Sequence, residues 1–391
     1  MQTRLAIPPG LWRLLVAAIV ALALIVTLGP MSASATKSSS CSVTNTDSGQ
    51  TFTVLQQAVD AATSGDRLVI RGTCHGPTVI DKDLALTGTW TERRGRPVLR
   101  GVRGSARTVT VTVAKGTRVS MRTLVISGPV ALGRPRGIIN HGTLSLRDVV
   151  LRNFSAFMSL RPVGSAIDNR GVLRTMGATL IRLNGELGSA LLNSGQATLG
   201  GTTRVTQNSG CVRNLGVLVM NDSSSIAGCW APKGSGVGAE NEGSLVMNDS
   251  SSIWGTGGVW NRGELTMNDE SSIHNNLSYS YMGPGAGGGV WNEGTLTMHD
   301  ASSIHHNSVN GPSIYRATTP ARGGGVYNAG TLVMTGDSHI DDNESKTGGN
   351  GVMGLGGGLY NASGGILVGV MCGPQTYANV YGNTPDDCYI E

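Results

Sequence analysis

Three sets of residues recur at fixed places along the 391-residue chain and carry side chains fit for chemistry. Asp222, Asp249, Asp269 and Asp300 each stand two residues after a methionine, in LVMND, LVMND, LTMND and LTMHD. Such a row suits calcium, which takes oxygen ligands, and equally suits Asx turns in which each carboxylate caps the following serine amide. Capping is the expected role, and calcium is the one cofactor the row would accommodate. His274, His305 and Asp341 share a second place and offer zinc-type donors, but no neighbouring residue is evident to orient them, so no metal is assigned. The third set precedes a repeated asparagine: Ile139, Asp168, Leu192, Arg213, Glu240, Trp260, Trp291, Tyr327 and Tyr360. Its last four members are aromatic. Exposed rings in a row pack on the apolar faces of sugars, which makes Trp260, Trp291, Tyr327 and Tyr360 a candidate carbohydrate surface. Ring-on-ring packing that only stabilises the fold is the alternative.

These residues are positioned by a repeat. The pattern "small, aliphatic, variable, Asn, variable, Gly" returns with Asn at 140, 169, 193, 214, 241, 261, 292, 328 and 361, at intervals of 20 to 36 residues. A period of this size marks a solenoid. Within the unit Gly287–His305, apolar residues alternate in short bursts rather than at helical spacing. Val290, Leu296, Met298 and Ile304 take inward positions, while Trp291, Thr295, Thr297 and His305 point outward. Each coil therefore reads as three short strands, GVW, TLTM and SSIH, divided by corners where Gly or Asn accepts positive φ. A second Asn column follows an aliphatic residue by three, in Val150/Asn153, Ile181/Asn184, Val205/Asn208, Ile273/Asn276, Ile304/Asn307, Ile340/Asn343 and Val380/Asn383; Cys229 and Thr256 replace it in two units. Stacked amides would satisfy buried corner groups and one another.

One coil cannot stand alone. About four buried aliphatics at ~1.5–3 kcal/mol each do not offset ~1–2 kcal/mol of backbone entropy per residue over some twenty residues. Stability must come from neighbours, and the ends need covers. The leading cover is a helix in TFTVLQQAVDAATSGD, with Val54, Leu55, Ala58, Val59 and Ala62 on one face and Ser64–Asp66 as its stop. Extra residues enter after the closing Asn, at 277–286, 308–322 and 344–355, and earlier at 154–163. Insertions at one coil position project from one side of a solenoid. They place Tyr279, Tyr281, Tyr315, Arg316 and Arg322 beside the aromatic column and add them to the candidate ligand surface.

The capping helix, the early IDKDLALTGT run (Ile80–Thr89) and the GGGVYN and IHHN repeats resemble bacterial right-handed parallel β-helix proteins of the pectin-lyase-like superfamily. The repeats are also similar to the GG-aliphatic and FxxN repeats of polymorphic outer-membrane proteins. The resemblance spans roughly Ser48 to Asn383 and implies the fold more than an activity. It implies two enzyme alternatives, a polysaccharide lyase or a glycoside hydrolase acting on acidic glycans. Pectate lyases hold calcium with clustered acids and use an arginine base, whereas Asp168 and Glu240 lie three coils apart. RGRPVLRG (Arg94–Gly101) does not meet the lyase RxPxxR pattern. The paired Asp and GHG signatures of polygalacturonases, a GxSxG elbow, HExxH and a Walker loop are also missing. Noncatalytic binding or structural service is the expected role.

Arg4 and Arg13 precede an apolar stretch from Leu14 to Leu28, and Ala33–Ala35 offers a cleavage site before Thr36. This is the pattern of a signal peptide over 1–35, or of an uncleaved amino-terminal anchor. Six cysteines follow it, an even number suited to an oxidising compartment. Neighbourhood pairs Cys41 with Cys74, Cys211 with Cys229 and Cys372 with Cys388. Charge is polarised: residues 66–182 hold 20 Lys+Arg against 6 Asp+Glu, and residues 183–391 hold 7 against 17. A basic stack attracts anionic polymers, although arginine as a plain solubilising residue also accounts for it. Aromatics hardly interleave with these arginines, which argues against nucleic acid. The expectation is an all-β, single-stranded right-handed parallel β-helix of about thirteen coils. Residues 36–65 form the leading segment and cap helix, 66–371 the β-helix and 372–391 a carboxy-terminal cap. The protein is expected to be secreted or at the cell surface, with an extracellular polysaccharide or cell-envelope polymer as partner. Membrane contact would come only through an uncleaved leader, and the oligomeric state stays open.

Overall fold

The computed structural model describes residues 40–90, 95–102, 109–128, 136–154, 165–182, 184, 188–229, 237–279, 287–311, 320–346 and 352–391. The leader, and Tyr281, Tyr315 and Arg316, lie outside these residues. Ser39–Glu391 make up one compact unit. Its regular structure is nearly all strand, in three long sheets of 14, 12 and 12 strands and one sheet of three, with one short helix.

A coil is three short strands, as in Val290–Asn292, Thr295–Met298 and Ser303–His305. Each pairs in parallel with its equivalent one coil on: Trp291 with Tyr327, Leu296 with Leu332, Ile304 with Ile340. The unit is a parallel β-helix with an Asn face, a Leu–Met face and an Ile face. The sequence suggests about thirteen coils; each face carries twelve parallel rungs. The difference arises because Ser42–Asn45 joins the Leu–Met face antiparallel, paired with Thr51–Phe52 on one side and Arg67–Arg71 on the other, rather than as a coil.

Helix α1 (Leu55–Ala61) covers the leading end with Leu55, Ala58 and Val59 buried. Val54, placed on its apolar face by spacing, is instead the extended residue before the first turn and is 41% exposed. The turn after α1 is fixed by Asp66, whose carboxylate accepts the Thr63 amide at 2.9 Å and the Asn45 side chain at 2.6 Å. These bonds hold Asp66 below the usual carboxylate range, the Asn45 bond foremost.

The repeat motif has a physical reading at each position. Val290, Leu296, Met298 and Ile304 are fully buried, as are their equivalents through the interior of the stack, while Leu367 and Cys388 at the last rung are partly buried. The nine Asn amides join in one chain of bonds: Asn140 donates to Asn169, and so on through Asn193, Asn214, Asn241, Asn261, Asn292, Asn328 and Asn361, at 2.7–2.8 Å. Each interior Asn also donates to a carbonyl on the next coil, as Asn261 does to Thr295 at 2.9 Å. The Gly two residues on does not take positive φ, contrary to the corner role expected of it. A Cβ on Gly263 would overlap the carbonyl oxygen of Gly243 in the coil before, so this position needs glycine for close backbone approach.

Positive φ falls elsewhere. Asp222, Asp249, Asp269 and Asp300 have φ of 53–56°, and Asn275, His306 and Asp342 turn the corner after the Ile face at 50–53°. Asp and Asn bear this conformation best among residues with a side chain. The second Asn column stacks as expected from Asn276 through Asn307 and Asn343 to Asn383. Its earliest expected member needs correction. Leu151, not Val150, is the inward residue paired with Ile181, so Phe154 takes the Asn position and donates its amide to Asn184 at 3.2 Å. Asn153 is the corner residue, at φ 65°. Disulfides join Cys41–Cys74, Cys211–Cys229 and Cys372–Cys388, with Cα separations of 4.6, 5.8 and 6.0 Å.

Candidate functional site

The column before the repeated Asn holds its aromatic residues as a stack. Trp260 and Trp291 lie 5.4 Å apart at 22°, Trp291 meets Tyr327 edge-on at 5.9 Å, and Tyr327 and Tyr360 lie 5.4 Å apart at 7°. A fifth ring, Tyr389, packs on Tyr360 at 5.2 Å because Cys388–Ile390 adds the last rung to this face. No repeated Asn follows Tyr389, so the motif does not reveal it.

Apart from the edge-on Trp291–Tyr327 contact, the stack uses ring faces on one another. Trp260, Trp291 and Tyr327 are half-buried, and Tyr360, expected to be exposed, is 1% accessible. Ring spacing matches the coil rise, so a planar side chain lies flat on its neighbour instead of turning its face to solvent. The Arg262 guanidinium covers Trp260 at 4.2 Å, and Arg322 lies 4.9 Å from the Tyr360 ring. Burial, and a hydrogen bond with Glu391, push the Tyr360 hydroxyl up to about 12. Trp260 Nε1 donates to Glu293 at 3.1 Å. The solvent side of this column therefore offers ring edges framed by arginine and glutamate.

The insertions begin with order of their own. Leu277–Tyr279, Ser308–Asn310 and Glu344–Lys346 pair in parallel as the fourth, three-stranded sheet. Tyr279 is 48% exposed on it. Arg322 bridges to Leu355 where the chain returns to the Asn face.

The column carboxylates are fully engaged. Asp168 is buried between Arg136 and Arg170, each at 2.9 Å. Its bond raises the Arg170 guanidinium above its ordinary value. Glu240 and Glu242 share Arg213 and Arg262, with Arg213 at 2.8 Å from Glu242 and Arg262 in close contact with Glu240. A general base needs a free lone pair within reach of substrate; Asp168 and Glu240 face guanidinium groups through both oxygens, and Glu242 does so through Oε1.

The Asp column caps amides, but not the serine amides expected. Asp249 accepts the amide of Asp222 at 2.8 Å, Asp269 that of Asp249 at 2.9 Å, and Asp300 that of Asp269 at 3.2 Å. The left-handed corner turns each carboxylate toward the coil before. The adjacent Asn221, Asn248 and Asn268 form a third, shorter amide ladder at 2.8 Å.

His274 and His305 stack at 5.1 Å and 6°, with Trp254 next to His274 at 6.3 Å. Two nitrogens on one zinc, each at about 2.0–2.1 Å, stand closer together than rings stacked one rung apart allow. Burial, then the neighbouring imidazoles, lower the His274 ring below its ordinary value, and burial does the same to His305. Burial raises the Asp341 carboxyl, which lies 3.7 Å from His339. Among the described residues no group of three His, Cys, Asp or Glu is arranged to hold a metal ion, and no helix is long and apolar enough to cross a membrane.

No protein-family model matches this chain, and comparison with curated proteins and with solved structures finds no match either.

Proposed function

We propose that this protein is an exported, noncatalytic β-helix that binds a polysaccharide or another polymer of the cell envelope along its side. The observation that carries the reading is the register of its outward columns. One runs from Thr112 through Asp168 and Trp260 to Tyr389, another from His75 through Arg152 and His274 to Tyr381, with one residue per coil. A surface that repeats at ~4.8 Å steps suits a ligand that itself repeats, and favours a polymer over a compact molecule. The aromatic column contributes edges and flanking Arg262 and Arg322 rather than open ring faces. Engagement of Asp168, Glu240 and Glu242 by arginine supports binding over lyase or hydrolase chemistry.

Three disulfides support an extracellular setting, as does the leader pattern in the sequence. On fold alone, the chain fits a distant place in the pectin-lyase-like superfamily. The test is a glycan array and co-sedimentation with insoluble cell-wall material, using the chain from Thr36 onward, with Trp260→Ala/Trp291→Ala alongside. Retention by at least one polymer is expected. Retention by none, or release of unsaturated or new reducing ends, overturns the reading.

A further inference from the structure

We propose that Arg152 and Arg182 form a binding site for a tetrahedral oxyanion, a phosphate or sulfate group carried on a polymer. They are registered partners on consecutive rungs of the Ile face, each directly after a buried inward residue, Leu151 and Ile181. Both are half-buried, and the Nε of each is shut off from solvent without a hydrogen-bond partner. No ion pair joins either to a described carboxylate. Among the described acids of their coils, Asp148 is committed to the Ala178 amide at 2.8 Å and its carbonyl accepts Arg96 at 2.6 Å, while Asp168 lies between Arg136 and Arg170.

Elsewhere the fold treats clustered arginines differently. Arg136 and Arg170 enclose Asp168, and Arg213 and Arg262 hold Glu240 and Glu242. At Arg152 and Arg182 two guanidinium groups one rung apart repel each other in a partly dehydrated setting, and among the described residues no carboxylate is paired with them. An external anion completes the site. A carboxylate can sit between two guanidinium groups, as Asp168 does between Arg136 and Arg170, but the third terminal oxygen of a phosphate or sulfate monoester gives the two forks a further acceptor to bridge.

Cations recur along this face: exposed Arg100 stands two rungs before Arg152 in the same column, with Ser127 between them, and exposed Arg204 stands on the rung after Arg182, two residues before Thr206, which takes the column position. A line of cations fits an extended polyanion better than a single ion. From Arg100 to Ala227 this column carries no aromatic ring, so the base-stacking platforms of single-strand binders are missing. The inference rests on the polymer-binding reading for its natural ligand, though not for the site itself.

The test compares Arg152→Ala/Arg182→Ala and Arg152→Lys/Arg182→Lys with a control, Arg118→Ala/Arg174→Ala, which removes two exposed charges from the Leu–Met face. Binding to dextran sulfate, neutral dextran, oligothymidylate and phosphatidylglycerol vesicles is measured, with inorganic sulfate and phosphate in thermal-shift assays. Circular dichroism monitors folding. Dextran sulfate is expected to bind, with affinity falling at least tenfold in the Ala pair, severalfold in the Lys pair and under threefold in the control. Sulfate stabilisation without polymer binding would keep the site and remove the polymer reading. Polymer binding equal in the Ala pair and the wild type, or weakened equally in the control, removes the site. Stronger retention on vesicles or oligothymidylate than on dextran sulfate would overturn the polysaccharide-type ligand, and failure of the Lys pair to fold would overturn the assignment of these residues to binding.

Discussion

Asn261→Ala tests the amide ladder at an interior rung. The Asn261 side chain is fully buried and makes four bonds: it accepts from Asn241 at 2.8 Å and donates to Asn292 at 2.8 Å, Thr295 at 2.9 Å and Gly263 at 3.2 Å. After truncation Asn241 keeps the carbonyls of Gly243 and Glu264, but the Asn292 oxygen loses its donor inside the stack. With about 1 kcal/mol for each of the better bonds lost and ~1–3 kcal/mol for a buried group left unpaired, the expected cost is about 4 kcal/mol. Asn361, at the far end, accepts from Asn328 and donates to Gly365. It has no further ladder neighbour, so Asn361→Ala should cost about half as much. Urea unfolding followed by far-ultraviolet dichroism and by tryptophan emission measures both. Because coils contact only their neighbours, the interior variant should also separate the two signals. A loss below about 1 kcal/mol at Asn261, or equal losses at the two positions, refutes the ladder as a main source of coil cohesion.

Gly263→Ala should destabilise by about 1–3 kcal/mol or more although Gly263 has ordinary φ, because the added Cβ meets the Gly243 carbonyl; an unchanged urea midpoint counts against close coil approach. The lowered His274 and His305 rings are neutral in the fold and protonate more readily once unfolded, so stability should fall as pH drops below their ordinary 6.5. Asp341, raised by burial, favours the fold below 3.8 and loses that contribution as pH climbs through its folded value. Melting temperatures from pH 7.5 to 5 should therefore decline, and His274→Gln/His305→Gln should flatten the decline; a flat wild-type profile contradicts this. Tyr360 should be among the last tyrosines to ionise. With a folded value of about 12 against 10.0 unfolded, its contribution to stability is lost as pH rises through that interval. Ultraviolet titration of Tyr360→Phe should lack a late-ionising group, and an unchanged profile argues against its burial.

Roles confined to one coil were legible in the residues. The inward run Val290, Leu296, Met298 and Ile304, the Asn columns and the three-strand division all follow from alternation and spacing, because a strand's side-chain period is fixed by its backbone. Roles that depend on the next coil were not. Residue types do not tell that Asp249 would turn back to the Asp222 amide, since a left-handed corner decides that direction. Nor do they separate a glycine needed for positive φ from one, such as Gly263, needed because another backbone passes close by. The shift from Val150 to Leu151 escaped because adjacent aliphatics leave the inward position undefined. Tyr389 escaped because its coil lacks the motif. Charge asymmetry was visible in the sequence, but which arginines lack a carboxylate emerges only when Asp168, Glu240 and Glu242 are placed.

Stacking of Thr266 directly below Thr297 and two rungs below Val333 underlies every surface described. Cysteines introduced as Thr266→Cys/Thr297→Cys should oxidise to a disulfide, since neighbouring rungs lie ~4.8 Å apart and a disulfide spans Cα separations of roughly 4.4–6.8 Å. Thr266→Cys/Val333→Cys, two rungs apart, should leave both new thiols free. Peptide mapping under non-reducing conditions reads the outcome. A cross-link in the second pair and none in the first would contradict the coil register.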